Sequence, residues 1–271
     1  MSNSREAELL HTFKGIPFTT RSSPDLLKSL DTFDAREDDL LLVSYPKSGK
    51  LFVWLLAVDL LISYPLFIHL SCTEEHTPRG RSISTFRNIQ TQVIVRKKKA
   101  PNNQMIYISR NPKDTAVSMF HYYRDNPNLP TVDTWAAFFD LFLKGNVVCG
   151  SWFDHFLSWA EHEDEKNILF LFYEDMKKDL PKAVKEITLF LNLNVSDNDI
   201  QDICKKSSFS EMKNDTEKEN SDPNHTVCAL TSNRKLIFRK GAVGDWKNYF
   251  TPKQNIRFQE IFNEKMKFSR M

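Results

Sequence analysis

The chain has 271 residues, and its 37 Lys+Arg against 35 Asp+Glu leave a net charge of +2, too balanced for the basic footprint of a duplex DNA or RNA binder. With 41% apolar residues, 21 Phe and only 7 Gly, it is neither disordered nor collagen-like, and no sustained heptads mark a coiled coil. The length suits one large core, read here as a single domain over residues 1–271, and no period of 20–50 residues marks a solenoid or propeller.

In chain order, the polar opening Met1 to Glu8 lacks the basic-then-apolar pattern of a secretory leader, so a cytoplasmic location is expected, with reduced thiols. The sequons at Asn194, Asn214 and Asn224 are then chance matches, because glycosylation needs the secretory route. Cys72, Cys149, Cys204 and Cys228 show no C-x-x-C spacing, so no metal site is expected. Leu40-Leu41-Leu42-Val43 is an unbroken apolar run, followed by the polar turn Ser44-Tyr45-Pro46-Lys47-Ser48-Gly49 and a helix-like stretch to about Ser63. Asp59 and Pro65 interrupt the apolar segment Leu51 to Leu70, which is read as a buried helix rather than a membrane span. Met105 to Ile108 and Ile168 to Tyr173 repeat the grammar, the first followed by Arg110-Asn-Pro-Lys-Asp and a helix over Thr115 to Tyr123, the second by Glu174-Asp175 and a helix near Leu180 to Leu193.

Apolar runs without alternation are strands buried on both faces, and strand-then-helix repetition predicts a parallel sheet with flanking helices. Helical spacing also marks Trp135 to Leu143, Ser151 to His162 and a C-terminal helix begun by Pro252, while 69–104 and 212–234 read as irregular. The fold class is therefore α/β, with a central parallel sheet whose ligand lies beyond the carboxyl ends of the strands, where the polar turns fall. The run Arg96-Lys97-Lys98-Lys99 reads as a solvated loop.

Ser44 to Lys50, between strand and helix, can turn backbone N–H groups and the helix dipole toward a phosphate, with Lys47 adding a mobile charge. It half-matches the nucleotide P-loop: Ser44 stands at the first Gly, and Leu51 replaces the hydroxyl that holds Mg²⁺, which disfavours a Mg-dependent kinase or NTPase. Two further segments accompany it, Arg110-Asn-Pro-Lys-Asp-Thr-Ala-Val-Ser118 and Arg239-Lys-Gly-Ala-Val-Gly-Asp-Trp-Lys-Asn-Tyr-Phe-Thr251.

With Tyr173-Glu-Asp these segments, in this order, make the chain resemble the cytosolic sulfotransferases, which move a sulfuryl group from 3′-phosphoadenosine 5′-phosphosulfate (PAPS) to a hydroxyl or amine. Leu30-Asp-Thr-Phe-Asp-Ala-Arg36 with Asp38-Asp39 resembles the vertebrate thyroid-hormone-type branch, sulfotransferase family 6. The resemblance runs from about Phe13 to Phe268 and implies a P-loop-like phosphosulfate-binding loop of Lys47, Ser48, Gly49, Lys50 and Leu51, with Phe52 stacking on adenine. It implies Arg110 and Ser118 on the 3′-phosphate, closed by Arg239, Lys240 and Gly241. Tyr173, Phe209 and Met212 resemble adenine-lining residues, and Ser207 a polar contact. The implied reaction is transfer to a hydroxyl of a small apolar acceptor (a phenol, an alcohol or a thyroid-hormone-like compound), with Lys47 neutralising the leaving phosphate and no metal, nucleic acid or membrane involved.

The chain departs from the family in three places. Lys50-Leu51-Phe52 replaces Thr-Thr-Trp, removing two hydroxyls from the loop. Phe86 follows Ser84-Thr85 where the family carries its proton-accepting His, and the span between Tyr45 and Arg110 is short for the family. His69 is the candidate replacement base, and His121 beside Tyr122 and Tyr123 a second. Pro252 and Ile256 alter the family's dimer motif after Lys247, so a homodimer is possible but its motif is changed. The alternative to an active enzyme is a PAPS- or bisphosphate-binding pseudoenzyme without the usual base.

Overall fold

The computed structural model describes residues 9–20, 22–32, 40–49, 53, 56, 104–208, 210–211, 239–267 and 269. An antiparallel hairpin comes first, β1 (Leu10–Phe13) and β2 (Ile16–Thr19), with Leu10 opposite Thr19. Its two-residue loop, Lys14-Gly15, has φ of 51° and 79°, the pair of left-handed residues that a tight turn matched to strand twist requires. Helix α1 (Pro24–Ser29), N-capped by Ser23, follows, and its Leu27 packs with Leu30, the residue just after it, against Phe18.

The central sheet consists of β3 (Leu40–Ser44), β4 (Gln104–Ser109) and β5 (Ile168–Phe172), parallel and in the order β3-β4-β5. Leu40 pairs with Gln104 and Met105 with Ile168, so all three strands end at one edge. Alternation along β4 explains its unbroken apolar sequence. Ile106 and Ile108 join Leu40, Leu42 and Leu171 in one core, while Tyr107 and Val43 enter the other. A strand buried on both faces has no polar side to show.

Helices cover both faces. On one lie α2 (Pro112–Asp125), α3 (Trp135–Lys144) and α4 (Trp152–Ala160), joined by the C-terminal helix α8 (Pro252–Lys265) through Phe258. On the other are α5 (Tyr173–Lys178), α6 (Leu180–Phe190) and α7 (Asp197–Lys206). Each of α2, α3, α4, α7 and α8 begins where a side chain of Asn111, Thr134, Ser151, Ser196 or Thr251 accepts an orphan N–H of the first turn. Gly145, at φ 72°, closes α3 in the left-handed conformation that helix ends favour.

The α/β class and parallel sheet are as the sequence predicts, and the differences are in detail. The third strand stops at Phe172, and Tyr173 opens a helix instead of ending the strand. The helix expected to Leu193 ends at Phe190, and the one over Ser151 to His162 spans Trp152–Ala160. The hairpin, α1 and α7 were not expected. Of the segment 51–70, only Val53 and Leu56 are described; both are helical and fully buried. Of the irregular stretches 69–104 and 212–234, Gln104 instead opens β4, paired with Leu40, and the rest lies outside the described residues. Among those residues, no helix is long and apolar enough to cross a membrane.

Candidate functional site

The polar turns after β3, β4 and β5 meet at the carboxyl edge of the sheet, and each is anchored by a different force. Tyr45 plants the first in the aromatic core: its hydroxyl donates to the Gly150 carbonyl at 2.8 Å, and its ring meets Phe142 and His155 edge-on. The chain then turns sharply, with the Ser48 N–H donating to the Tyr45 carbonyl at 3.2 Å and with positive φ at Lys47 (68°) and Gly49 (97°). Left-handed residues alternating with ordinary ones make the backbone concavities that hold anions, and a lysine held there is strained. The Ser48 hydroxyl is fully buried and has no hydrogen-bond partner among the described residues. An orphaned donor of this kind fits a phosphate or sulfate oxygen.

Arg110 stands immediately after β4, the middle strand, and ties the other two turns to it. One terminal guanidinium nitrogen donates to the Lys47 carbonyl at 3.1 Å and the other to the Ala242 carbonyl at 3.2 Å. The guanidinium carbon lies 4.5 Å from the centre of the Tyr173 ring, a cation–π contact. Arg110 Nε is buried with no partner among the described residues. Tyr173 in turn packs on the first turn: a Cβ built on Gly49 would stand 2.7 Å from Tyr173 Cδ2, so only glycine fits there.

The C-terminal segment arrives with its own charges. Arg239 and Lys240 each donate to the buried Asp245 carboxylate at 2.5 Å, and Asn248 Nδ2 adds a third bond at 2.9 Å. Burial raises the Asp245 carboxyl, but these three hydrogen bonds outweigh it and hold the group well below the usual carboxylate range. Asp114, in the first turn of α2, accepts from the Gly244 N–H at 2.7 Å and the Trp246 N–H at 2.9 Å.

Lys47 is the most perturbed base in this group. Burial first, then the Arg110 and Arg239 charges, push its ammonium down to about 7. Its Nζ sits 4.5 Å from the centre of the Tyr122 ring, which partly offsets the lost hydration. An anion on this face would restore the charge. His121 differs: burial, Arg239 and Arg124 push it down to about 4 against the opposing pull of Asp125 and Asp245. It shares a 2.8 Å hydrogen bond with the Tyr249 hydroxyl. A base this weak is a poor match for proton removal near neutral pH.

Of the residues expected from sequence, Lys47, Gly49, Arg110, Tyr173 and the loop carrying Arg239, Lys240 and Gly241 are therefore brought together. Ser118 lies half-buried on α2, and Ser207 is buried at the C-terminal end of α7, where its N–H donates to the Ile203 carbonyl at 2.9 Å. Lys50, Leu51, Phe52, His69, Phe86, Phe209 and Met212 lie outside the described residues. Sequence reasoning missed Asp114, Tyr122 and Asp245; the first and last stand inside quoted segments, but a carboxylate among cations does not announce its partners. No group of three or more His, Cys, Asp or Glu among the described residues could hold a metal ion.

A parallel α/β sheet with cations and a buried, unpartnered hydroxyl at its carboxyl edge is an architecture suited to a phosphate-bearing ligand. Comparison with known proteins narrows the class. Residues 37–270 match the sulfotransferase domain family. Sulfotransferase 6B1 of Mus musculus is 35% identical over 95% of this chain and 86% of its own length. The amine sulfotransferase of Oryctolagus cuniculus is 35% identical over 98% and 93%. The crystal structure of mouse sulfotransferase SULT7A1 complexed with PAP superposes with a TM-score of 0.78 at 51% identity, covering 96% of this chain and 94% of that one. Retinol dehydratase, in a complex with retinol and PAP, shares the fold at a TM-score of 0.70 and 20% identity over 95% and 89%. The chain belongs to the sulfotransferase family.

Proposed function

We propose that this chain transfers a sulfuryl group from PAPS to a hydroxyl of a small apolar acceptor, releasing adenosine 3′,5′-bisphosphate. The observation that carries the reading is the Arg110 tie, which gathers the Lys47 turn, Tyr173 and the Arg239–Gly241 loop at the carboxyl edge of the sheet. The family match and the 51%-identical relative solved with PAP support it. In this reading Lys47, Ser48 and Gly49 hold the phosphosulfate, continued by Lys50 and Leu51. Arg110, Ser118, Arg239, Lys240 and Gly241 take the 3′-phosphate. Phe52, Tyr173, Phe209 and Met212 line the adenine, with Ser207 as a polar contact. The S–O bond to the donor phosphate breaks, its electron pair stays on that phosphate beside Lys47, and the acceptor oxygen bonds to sulfur as its proton passes to His69, the candidate base. Positioned cations supply the stabilisation, and no metal takes part. The protein acts as a single domain in the cytoplasm.

A second reading is favoured by the state of His121, which is held neutral and engaged by Tyr249. It also rests on the resemblance, which puts Phe86 where the family carries its base. The chain would then bind PAPS or its product without competent transfer. Calorimetry with adenosine 3′,5′-bisphosphate, paired with transfer of labelled sulfate from PAPS to phenolic and alcoholic acceptors, separates the two. Binding with turnover supports the enzyme, whether His69 or another group takes the proton. Binding without turnover supports the pseudoenzyme, and no binding overturns both.

A further inference from the structure

The two bonds that Asp114 accepts have a purpose beyond the helix that carries it. A carboxylate in the first turn of a helix ordinarily serves that helix, by capping it or by meeting its dipole. Here the capping is done by Asn111, whose side chain accepts from the Lys113 N–H at 2.9 Å. Asp114 instead points both oxygens out of α2, at two alternate N–H groups some 130 residues further along the chain. Its side chain is buried, only 2% exposed, so these charge-assisted bonds are shielded from water.

The residue between the two gripped N–H groups is Asp245, the anion on which Arg239 and Lys240 converge. Gly244, at φ 84°, lets the chain turn there and starts the short 3₁₀ turn Asp245–Asn248. Two further groups of the same segment reinforce the grip: Arg110 holds the Ala242 carbonyl, and Lys113 Nζ lies 4.5 Å from the centre of the Trp246 ring. A line of contacts thus runs from Asp114 to the 244–246 backbone, from there to the Asp245 carboxylate, and from that to the two cations.

We propose that Asp114 is a positioning residue for donor binding, pinning the 244–246 backbone so that Asp245 presents Arg239 and Lys240 to the 3′-phosphate of the nucleotide. The inference rests on the reading of Arg239 and Lys240 as 3′-phosphate ligands. Asp114 itself touches no phosphate. Its effect is therefore confined to ligands that carry a 3′-phosphate, a signature that a general loss of packing does not produce.

The test is calorimetric titration of the full chain and its Asp114→Asn variant with adenosine 3′,5′-bisphosphate and, separately, with adenosine 5′-monophosphate. The amide keeps one, now uncharged, acceptor and turns an N–H₂ toward the other backbone donor, so one bond is lost and the other is no longer charge-assisted. The variant is expected to bind the bisphosphate about tenfold more weakly and the monophosphate within about twofold of the parent. Equal weakening toward both ligands, or none toward either, overturns the role of Asp114. A parent chain that binds both ligands equally overturns the 3′-phosphate reading and the inference with it. A parent that binds the bisphosphate preferentially, combined with an unchanged variant, sinks the inference alone. Should the variant fail to fold, amide hydrogen exchange on the unaltered chain decides: protection of the Gly244 and Trp246 N–H groups on a par with β4 is expected, and exchange as fast as an exposed loop overturns the pinning.

Discussion

The two sides of the site edge are built from opposite materials. Behind the Lys47 turn lies an aromatic slab: Phe138 is fully buried, its ring centre between 5.2 and 6.4 Å from those of Phe120, Tyr123, Trp135 and Phe142. Beyond β4 lies a lattice of charges, in which Arg110, Asp114, Arg239, Lys240 and Asp245 hold one another and the backbone. Dispersion and hydrophobic burial stabilise the first regardless of what the site holds, whereas crowded cations in the second are costly until an anion arrives. Stability should therefore reside in the slab and affinity in the lattice.

The sharpest way to break this contrast is Phe138→Ala. Truncating a fully buried Phe costs about 3–5 kcal/mol, so denaturant unfolding should show a loss of that order, while the folded fraction binds adenosine 3′,5′-bisphosphate as before. Lys47→Met should do the reverse, lowering sulfate transfer by ~10²–10³ at saturating donor. The same change should raise the melting temperature at pH 6. With a folded-state value near 7 against an ordinary 10.5, Lys47 burdens the ligand-free fold fully below pH 7, and the burden fades as pH rises toward 10.5. A fall in melting temperature at pH 6 would show that Lys47 belongs to the stabilising half instead.

Gly49→Ala tests the seam between the halves. The new methyl meets Tyr173 in a backbone conformation that strains any other residue, so a loss of about 1–3 kcal/mol in unfolding free energy is expected, together with weaker nucleotide binding. The smallest effect is a trend with pH. Binding an anion re-protonates Lys47, so affinity for the bisphosphate should fall above pH 7 by at most about one decade per pH unit. The ligand's own phosphates, with second pKa values of about 6, are already ionised there. Calorimetry in buffers of different ionisation enthalpy reads the proton uptake directly, and Lys47→Arg, which keeps its charge throughout, should abolish it.

Much of this architecture is legible in the residues because the strands carry no alternative message. Leu40 to Val43, Met105 to Ile108 and Ile168 to Phe172 are short, uniformly apolar runs bounded by polar turns, the pattern of a twice-buried sheet. The hairpin is not legible, because its turn is Lys14-Gly15 where Asn-Gly would have announced it, and four-residue strands leave little periodicity. Tyr173 misleads for a related reason: an aromatic ending an apolar run reads as strand, yet here it opens a helix so that its ring lies under Arg110 and over Gly49. Lys47, Arg110, Arg239 and Lys240 are legible through their motifs. Asp114 and Asp245 are not: the donors to Asp114 arrive from some 130 residues away, and those to Asp245 are near in sequence but meet it only once the 244–248 turn has formed.

One property of the sheet bears on how such a protein can change over generations. β3 and β4 are neighbours in parallel register, Leu40 beside Gln104 and Ser44 beside Ile108, although 59 residues of sequence separate them. The excursion between them departs from and returns to fixed, adjacent points. Lengthening or shortening it leaves those end points where they are, and the entropic cost of closing a loop grows only slowly with its length. A lineage can thus rewrite the intervening stretch, which carries Phe86, while Arg110 keeps its place beside the Lys47 turn. Change in that stretch and preservation of the Arg110 tie become separable, and the join between them is a single pair of strands.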